Sequence, residues 1–149
     1  MRAVVQRVKR AEVRVGQEVT GRIAAGLCVL VGVADGDTAQ DAVALADKVC
    51  HLRIMSDDAG KMNRSVLDCG GEILAVSQFT LHADASRGRR PSFVRAMAPA
   101  AAEPLFTGFC EACRAHGVTV GTGRFGAEML VDIWGDGPVT ILLDTKQAL

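Results

Sequence analysis

Gly26-Leu27-Cys28-Val29-Leu30-Val31-Gly32-Val33 carries no polar side chain at all, so a strand built from it is apolar on both faces. That pattern marks a central, doubly covered strand rather than a half-solvated one. Upstream, Ala3-Val4-Val5-Gln6-Arg7-Val8 and Ala11-Glu12-Val13-Arg14-Val15 alternate apolar with charged residues, as a half-buried strand does. Gly16-Gln17 supplies a turn, and residues 19–23 pair back as a hairpin, so the chain opens as a meander. Downstream, the spacing of Asp37 and Gln40 predicts a capping box, with Asp37 accepting from first-turn amides and Gln40 reaching back. Ala42, Leu45, Ala46, Val49 and Leu52 then continue one helical stripe to about residue 52.

Residues 56–71 are polar and glycine-punctuated and read as a loop or short hairpin. Glu72-Ile73-Leu74-Ala75-Val76 is the next strand, and it runs directly into Ser77-Gln78-Phe79-Thr80. Two hydroxyls and an amide at the end of a β element stand where binding sites are commonly built. Residues 99–116 read as a second helix with Leu105, Phe106, Phe109 and Cys113 inward and Gly117 as its stop. Two strands, residues 129–134 and 139–143, close the chain, joined by a tight turn at Gly135-Asp136-Gly137-Pro138. The order implies one α+β domain over residues 1–149, with largely antiparallel sheets forming a barrel-like core and two main helices. So many strands with only two helices leave sheet surface for a second subunit.

Composition narrows the function. The 149 residues suit a single domain, and 49% hydrophobic with 23% charged residues is ordinary for a globular chain. The longest apolar run, residues 24–34, is too short to span a bilayer, and the charged N-terminus lacks the apolar core of a signal peptide. A cytoplasmic protein without membrane partners is expected. Lys plus Arg and Asp plus Glu both number 17, so no global field drives nucleic-acid binding and any RNA contact must be local. Aromatics make up 4% and Tyr is missing, which leaves little for a sheet of base-stacking rings. The five cysteines are expected to be reduced.

No dinucleotide fingerprint, phosphate loop, His-Glu-x-x-His or Gly-x-Ser-x-Gly occurs, and neither metal nor cofactor is expected. Cys110-x-x-Cys113-x-x-His116 places its three groups at steps that drift around a helix, which favours buried cysteines over a metal site. His82 follows Thr80 by two residues, yet only Asp84 is near to orient it, so a solvent-side His at a loop start is expected. Catalysis would then rest on positioning, backbone donors or the substrate's own groups. Arg87, Arg89 and Arg90 in Ser86-Arg87-Gly88-Arg89-Arg90-Pro91-Ser92-Phe93 suit either local phosphate contact or a solvated charge run.

Gln6-Arg7-Val8, Gly60-Lys61-Met62-Asn63, Ser77-Gln78-Phe79-Thr80-Leu81, Arg90-Pro91-Ser92-Phe93, Thr122-Gly123-Arg124-Phe125 and Asp136-Gly137-Pro138-Val139-Thr140 occur in this order and spacing. On these motifs the chain closely resembles the bacterial D-aminoacyl-tRNA deacylases over nearly its whole length. One departure is Gly135, where that family usually has Asn. The resemblance implies a homodimer, acting without DNA, that hydrolyses the ester between a D-amino acid and the 3′-terminal adenosine of tRNA. Ser77, Gln78, Phe79 and Thr80 would form the catalytic pocket. Gly137-Pro138, held cis, would enter the partner's pocket and exclude an L side chain, and the tRNA 2′-OH would assist hydrolysis. Such a filter has nothing to reject in glycine, so glycyl-tRNA(Ala) should also be cleaved. Thr80 is either a nucleophile or, preferably, a hydrogen-bonding group. The alternatives are a non-catalytic module that binds acylated tRNA ends and an L-specific editing domain, the latter disfavoured by the Gly-Pro motif and free-standing length.

Overall fold

A computed structural model describes residues 1–146 of the chain. The strand that joins most of the sheet is β1 (Arg2–Val15). On one edge β1 pairs antiparallel with β2 (Glu18–Ile23) and with β3 (Gly26–Gly32), and along its other edge with β8 (Leu130–Asp144). The sheet continues from β3 to β6 (Glu72–Ser77) and β7 (Thr119–Thr122). β7 returns against β2, so the sheet curls into a nearly closed barrel. As expected of a central strand, β3 buries Leu27, Cys28 and Val29 completely. A short hairpin of β4 (Met55–Ser56) and β5 (Met62–Arg64) opens the polar, glycine-punctuated segment.

The pairs β3–β6 and β6–β7 are parallel, which gives an otherwise antiparallel α+β barrel a mixed sheet. Parallel neighbours need crossovers, and these are α1 (Ala39–His51) and α2 (Pro99–Ala115). The two helices lie side by side over one face, with Leu45, Val49, Phe106 and Phe109 in the main core. A second cluster of Val8, Val13, Ile23, Leu74 and Val76 fills the barrel on the other side.

Two expectations are corrected. The helix cap lies one residue later than Asp37 and Gln40: Thr38 is the N-cap, and the Asp41 carboxylate accepts from its amide at 2.8 Å. Asp37 is occupied elsewhere, because its buried carboxylate binds the Met1 ammonium at 2.9 Å and accepts from the Ala34 amide at 2.7 Å. The closing segment is a single strand rather than two strands around a tight turn. Both halves of β8 pair with β1 in the same direction, and residues 136–139 loop out against Arg7 alone, between the pairs Val8↔Gly135 and Gln6↔Thr140.

Asp41 is nearly buried, and burial opposes its charge. Hydrogen bonds from Thr38, Thr145 and Lys146 outweigh that penalty and hold the carboxyl well below the usual carboxylate range. A folded-state pKa lowered in this way adds stability above about pH 4, lost as pH falls through the folded value. Asp41→Ala should therefore cost about 1–2 kcal/mol at pH 7, and less in acid, in paired urea melts at pH 7 and pH 3.

Candidate active site

At the end of β6 the Gln78 amide donates to the Val31 carbonyl at 2.8 Å, the last tie to the sheet before the chain winds into a short 3-10 turn, Phe79–His82. This turn forms one wall of a cavity of about 510 Å³. Ser77, Gln78, Phe79 and Thr80 all line it. Phe93 and Met97 come from the following loop, Ala102 from the first turns of α2, and Phe125 and Met129 from the segment before β8. Phe79 and Phe93 meet edge to face at the mouth, with centroids 5.1 Å apart. The Gln78 side-chain amide donates to the Thr80 hydroxyl at 3.1 Å, which orients that oxygen.

No Asp, Glu, His, Cys, Lys or Arg is among the lining residues. The wall offers hydroxyls, one carboxamide, main-chain groups and apolar surface. Such a site can hold and orient an ester, and its wall carries no carboxylate, imidazole, thiol or amine of its own.

His82 is not on the solvent side. It is 6% exposed, its Nε2 has no hydrogen-bond partner, and it does not line the cavity. The helical turn rotates it inward, where an extended chain would have turned it out, and Arg2 Nη1 secures the turn by donating to the Leu81 carbonyl at 2.9 Å. Cys110 and Cys113 are core residues of α2, and burial pushes the Cys110 thiol up to about 11. Cys113 is raised by the adjoining Cys50 and by burial.

Arg87, Arg89 and Arg90 are exposed on a loop closed by the Asp84–Ser92 bridge, with both backbone hydrogen bonds at 2.8 Å. None of the three makes an ion pair among the described residues, and Phe93 at the base of their loop lines the cavity. Arg64 and Arg124 are engaged elsewhere, with Asp58 at 3.1 Å and Glu18 at 2.8 Å.

Gly137 and Pro138 sit on the looped-out part of β8, joined by a cis peptide bond, and are exposed. They do not line the cavity of their own chain. Arg7 holds the loop: its Nε donates to the Asp136 carbonyl at 3.2 Å and lies 3.4 Å from the Asp136 carboxylate, and its Nη1 donates to the Ile54 carbonyl at 2.9 Å. The sequence had marked Arg7 only as part of a motif. Its signal is a charge in β1 with 13% of its side-chain surface exposed, opposite the residues that leave the ladder. A Cβ at Gly135 would have nothing within 4 Å of it. Beside the loop, β8 presents Leu130 (72% exposed), Trp134 (53%) and Leu142 (55%), with the Arg10 guanidinium 4.2 Å above the indole.

The fold is shared with solved structures. A solved structure of the c-Myc DNA Unwinding Element Binding Protein superposes with a TM-score of 0.94 at 42% identity, covering 99% of this chain and 100% of that one. A probable eukaryotic D-amino acid tRNA deacylase shares the fold, with a TM-score of 0.83 at 18% identity over 95% of this chain and 97% of that one. The D-aminoacyl-tRNA deacylase of Geobacillus sp. (strain WCH70) is 54% identical over 147 residues, 99% of this chain and 97% of the relative. The family model for D-Tyr-tRNA(Tyr) deacylase matches residues 4–144. The chain belongs to the D-Tyr-tRNA(Tyr) deacylase family, and its class is that of the D-aminoacyl-tRNA deacylases, hydrolases of a carboxylic ester.

Proposed function

We propose that the chain works as a cytoplasmic homodimer that frees D-amino acids from the 3′-terminal adenosine of tRNA while leaving L-aminoacyl-tRNA intact. The observation that carries this reading is the cavity wall itself: polar groups at Ser77 to Thr80 and no ionisable side chain. Water adds to the ester carbonyl, the bond to the ribose 3′-oxygen breaks, and the neighbouring 2′-OH of the tRNA relays the proton to that oxygen. The protein contributes orientation and neutral hydrogen-bond donors. The exposed Arg87, Arg89 and Arg90 meet the phosphates of the acceptor end, a contact that needs no net charge on the whole protein.

Chirality is set by the second subunit. Gly137-Pro138 enters the partner's cavity, where its main-chain atoms occupy the space an L side chain would need. Two features support the dimer. The exposed apolar residues of β8 flank this loop, and among the described residues β8 leaves a long unpaired edge, which natural sheets seldom leave uncovered. Because the filter acts by exclusion, glycyl-tRNA(Ala) is a substrate as well, and a glycyl ester that stays intact under conditions that clear the D-ester would contradict the exclusion model.

Thr80 acts as a hydrogen-bonding group. Thr80→Ala should slow single-turnover hydrolysis of D-tyrosyl-tRNA by about 5–10-fold, the worth of one hydrogen bond. A fall on the order of a thousandfold or more, with tRNA binding kept, would make it a nucleophile instead.

A further inference from the structure

Far from the cavity, α1 ends on His51 and α2 is capped by His116. Both helices cross over the same sheet face in the same sense, so their C-terminal ends, and the partial negative charge each carries, come together. Asp47, one turn before His51 on α1, completes a cluster there. Its Oδ1 lies 3.3 Å from His51 Nδ1 and 3.7 Å from His116 Nε2, and the two imidazoles meet edge to face with centroids 5.0 Å apart. Among the described residues this is the group of His, Cys, Asp and Glu side chains whose ligand atoms all fall within 4.8 Å of one another. The deacylase reading gives these residues no task.

We infer that Asp47, His51 and His116 bind one divalent transition-metal ion, of the Zn²⁺ type, clamping the C-terminal ends of α1 and α2. A tetrahedral ion with bonds of about 2.0–2.1 Å holds its ligands about 3.3–3.4 Å apart, and the two Asp47 distances already lie near that edge. Asp47 and His51 use the i, i+4 spacing that puts two ligands on one helical face, and α2 supplies the third. Two imidazoles with one carboxylate select borderline transition ions over Mg²⁺ or Ca²⁺. The three side chains are partly exposed, which leaves the fourth position to water. His51 Nδ1 also lies 2.9 Å from the Asp47 carbonyl oxygen, a contact the metal bond replaces. Arg114, the nearby cation on α2, is directed away, to Glu111 at 2.8 Å and the Val120 carbonyl at 3.0 Å. The cavity touches the first turns of α2 and the cluster sits at its end, and 17 helical residues at about 1.5 Å each put some 25 Å between them. The ion is therefore a structural clamp, bound by the folded chain alone.

The test uses the full chain carrying Cys69→Ser, which removes an exposed competing thiol. Co²⁺ titration read by visible absorption, with displacement by Zn²⁺, should give one ion per chain with tetrahedral d–d bands. His51→Ala and His116→Ala should each weaken binding by about 10–100-fold or more, and Asp47→Asn likewise. At a hundredfold excess over its dissociation constant, Zn²⁺ should raise Tm by about 5–10 °C in the parent and not in these variants. D-ester hydrolysis should be unchanged by His116→Ala. All three side chains lie at the surface, so metal-free Tm reports directly that each variant folds. Failure to bind either ion at concentrations on the order of 1 mM overturns the inference, as does saturation unaffected by the His substitutions.

Discussion

Gly137→Ala should lower the preference for D- over L-tyrosyl-tRNA by about 100-fold while cutting D-ester hydrolysis by no more than about tenfold. Gly137 has φ +124°, a conformation that L residues adopt only with strain of about 1–3 kcal/mol. A Cβ there would also lie 2.9 Å from the Val139 amide nitrogen and 3.2 Å from Arg7 Nη2. The loop must therefore shift, and the shift acts on the contact by which Arg7 aims it. About 2.7 kcal/mol of lost discrimination corresponds to a hundredfold. In the proposed arrangement selectivity is affected more than turnover, because there the loop's task is exclusion whereas binding and orientation fall to Ser77 to Thr80 of the other subunit. The readout is kcat/KM on the two esters, and an unchanged ratio would remove the loop from chiral rejection.

The largest effect on stability should come from Gly26→Ala. Gly26 starts β3 and faces Glu72 in the parallel register and Val8 in the antiparallel one. A Cβ there would collide with the Glu72 backbone, its carbonyl oxygen above all. Flexible side chains can give way, but these atoms belong to the strand that carries the cavity-lining turn at its far end. Separation of β3 from β6 loses ladder hydrogen bonds in the most buried part of the sheet. A cost of about 4 kcal/mol or more is expected, which lowers Tm by roughly 10–15 °C for a domain of this size. Calorimetry of the purified variant measures it directly, and a Tm within a few degrees of the parent would show that the strands adjust.

Local signals carried much of the fold. The unbroken apolar run of β3 and the stripe of α1 are readable because each depends on neighbours in the chain. What escaped depends on partners far off in sequence. Nothing near Asp37 announces that the Met1 ammonium will claim its carboxylate and move the cap to Thr38. The glycines and proline of Gly135 to Pro138 read as a turn between strands, and only pairing of both halves with β1 makes the segment an excursion from one strand. His82 reads from the sequence as a solvent-side residue at a loop start, whereas the chain after Gln78 winds into a helical turn that buries it. Arg7 had a place in a motif but no role until the loop opposite it was visible.

The most direct measurement is deacylation of matched D-tyrosyl-tRNA and L-tyrosyl-tRNA by the purified chain, with and without EDTA. Since no metal-ligating side chain lines the cavity, loss of the D-ester alone, at the same rate in chelator, is the predicted result. Survival of both esters, or loss of both at equal rates, would contradict the account.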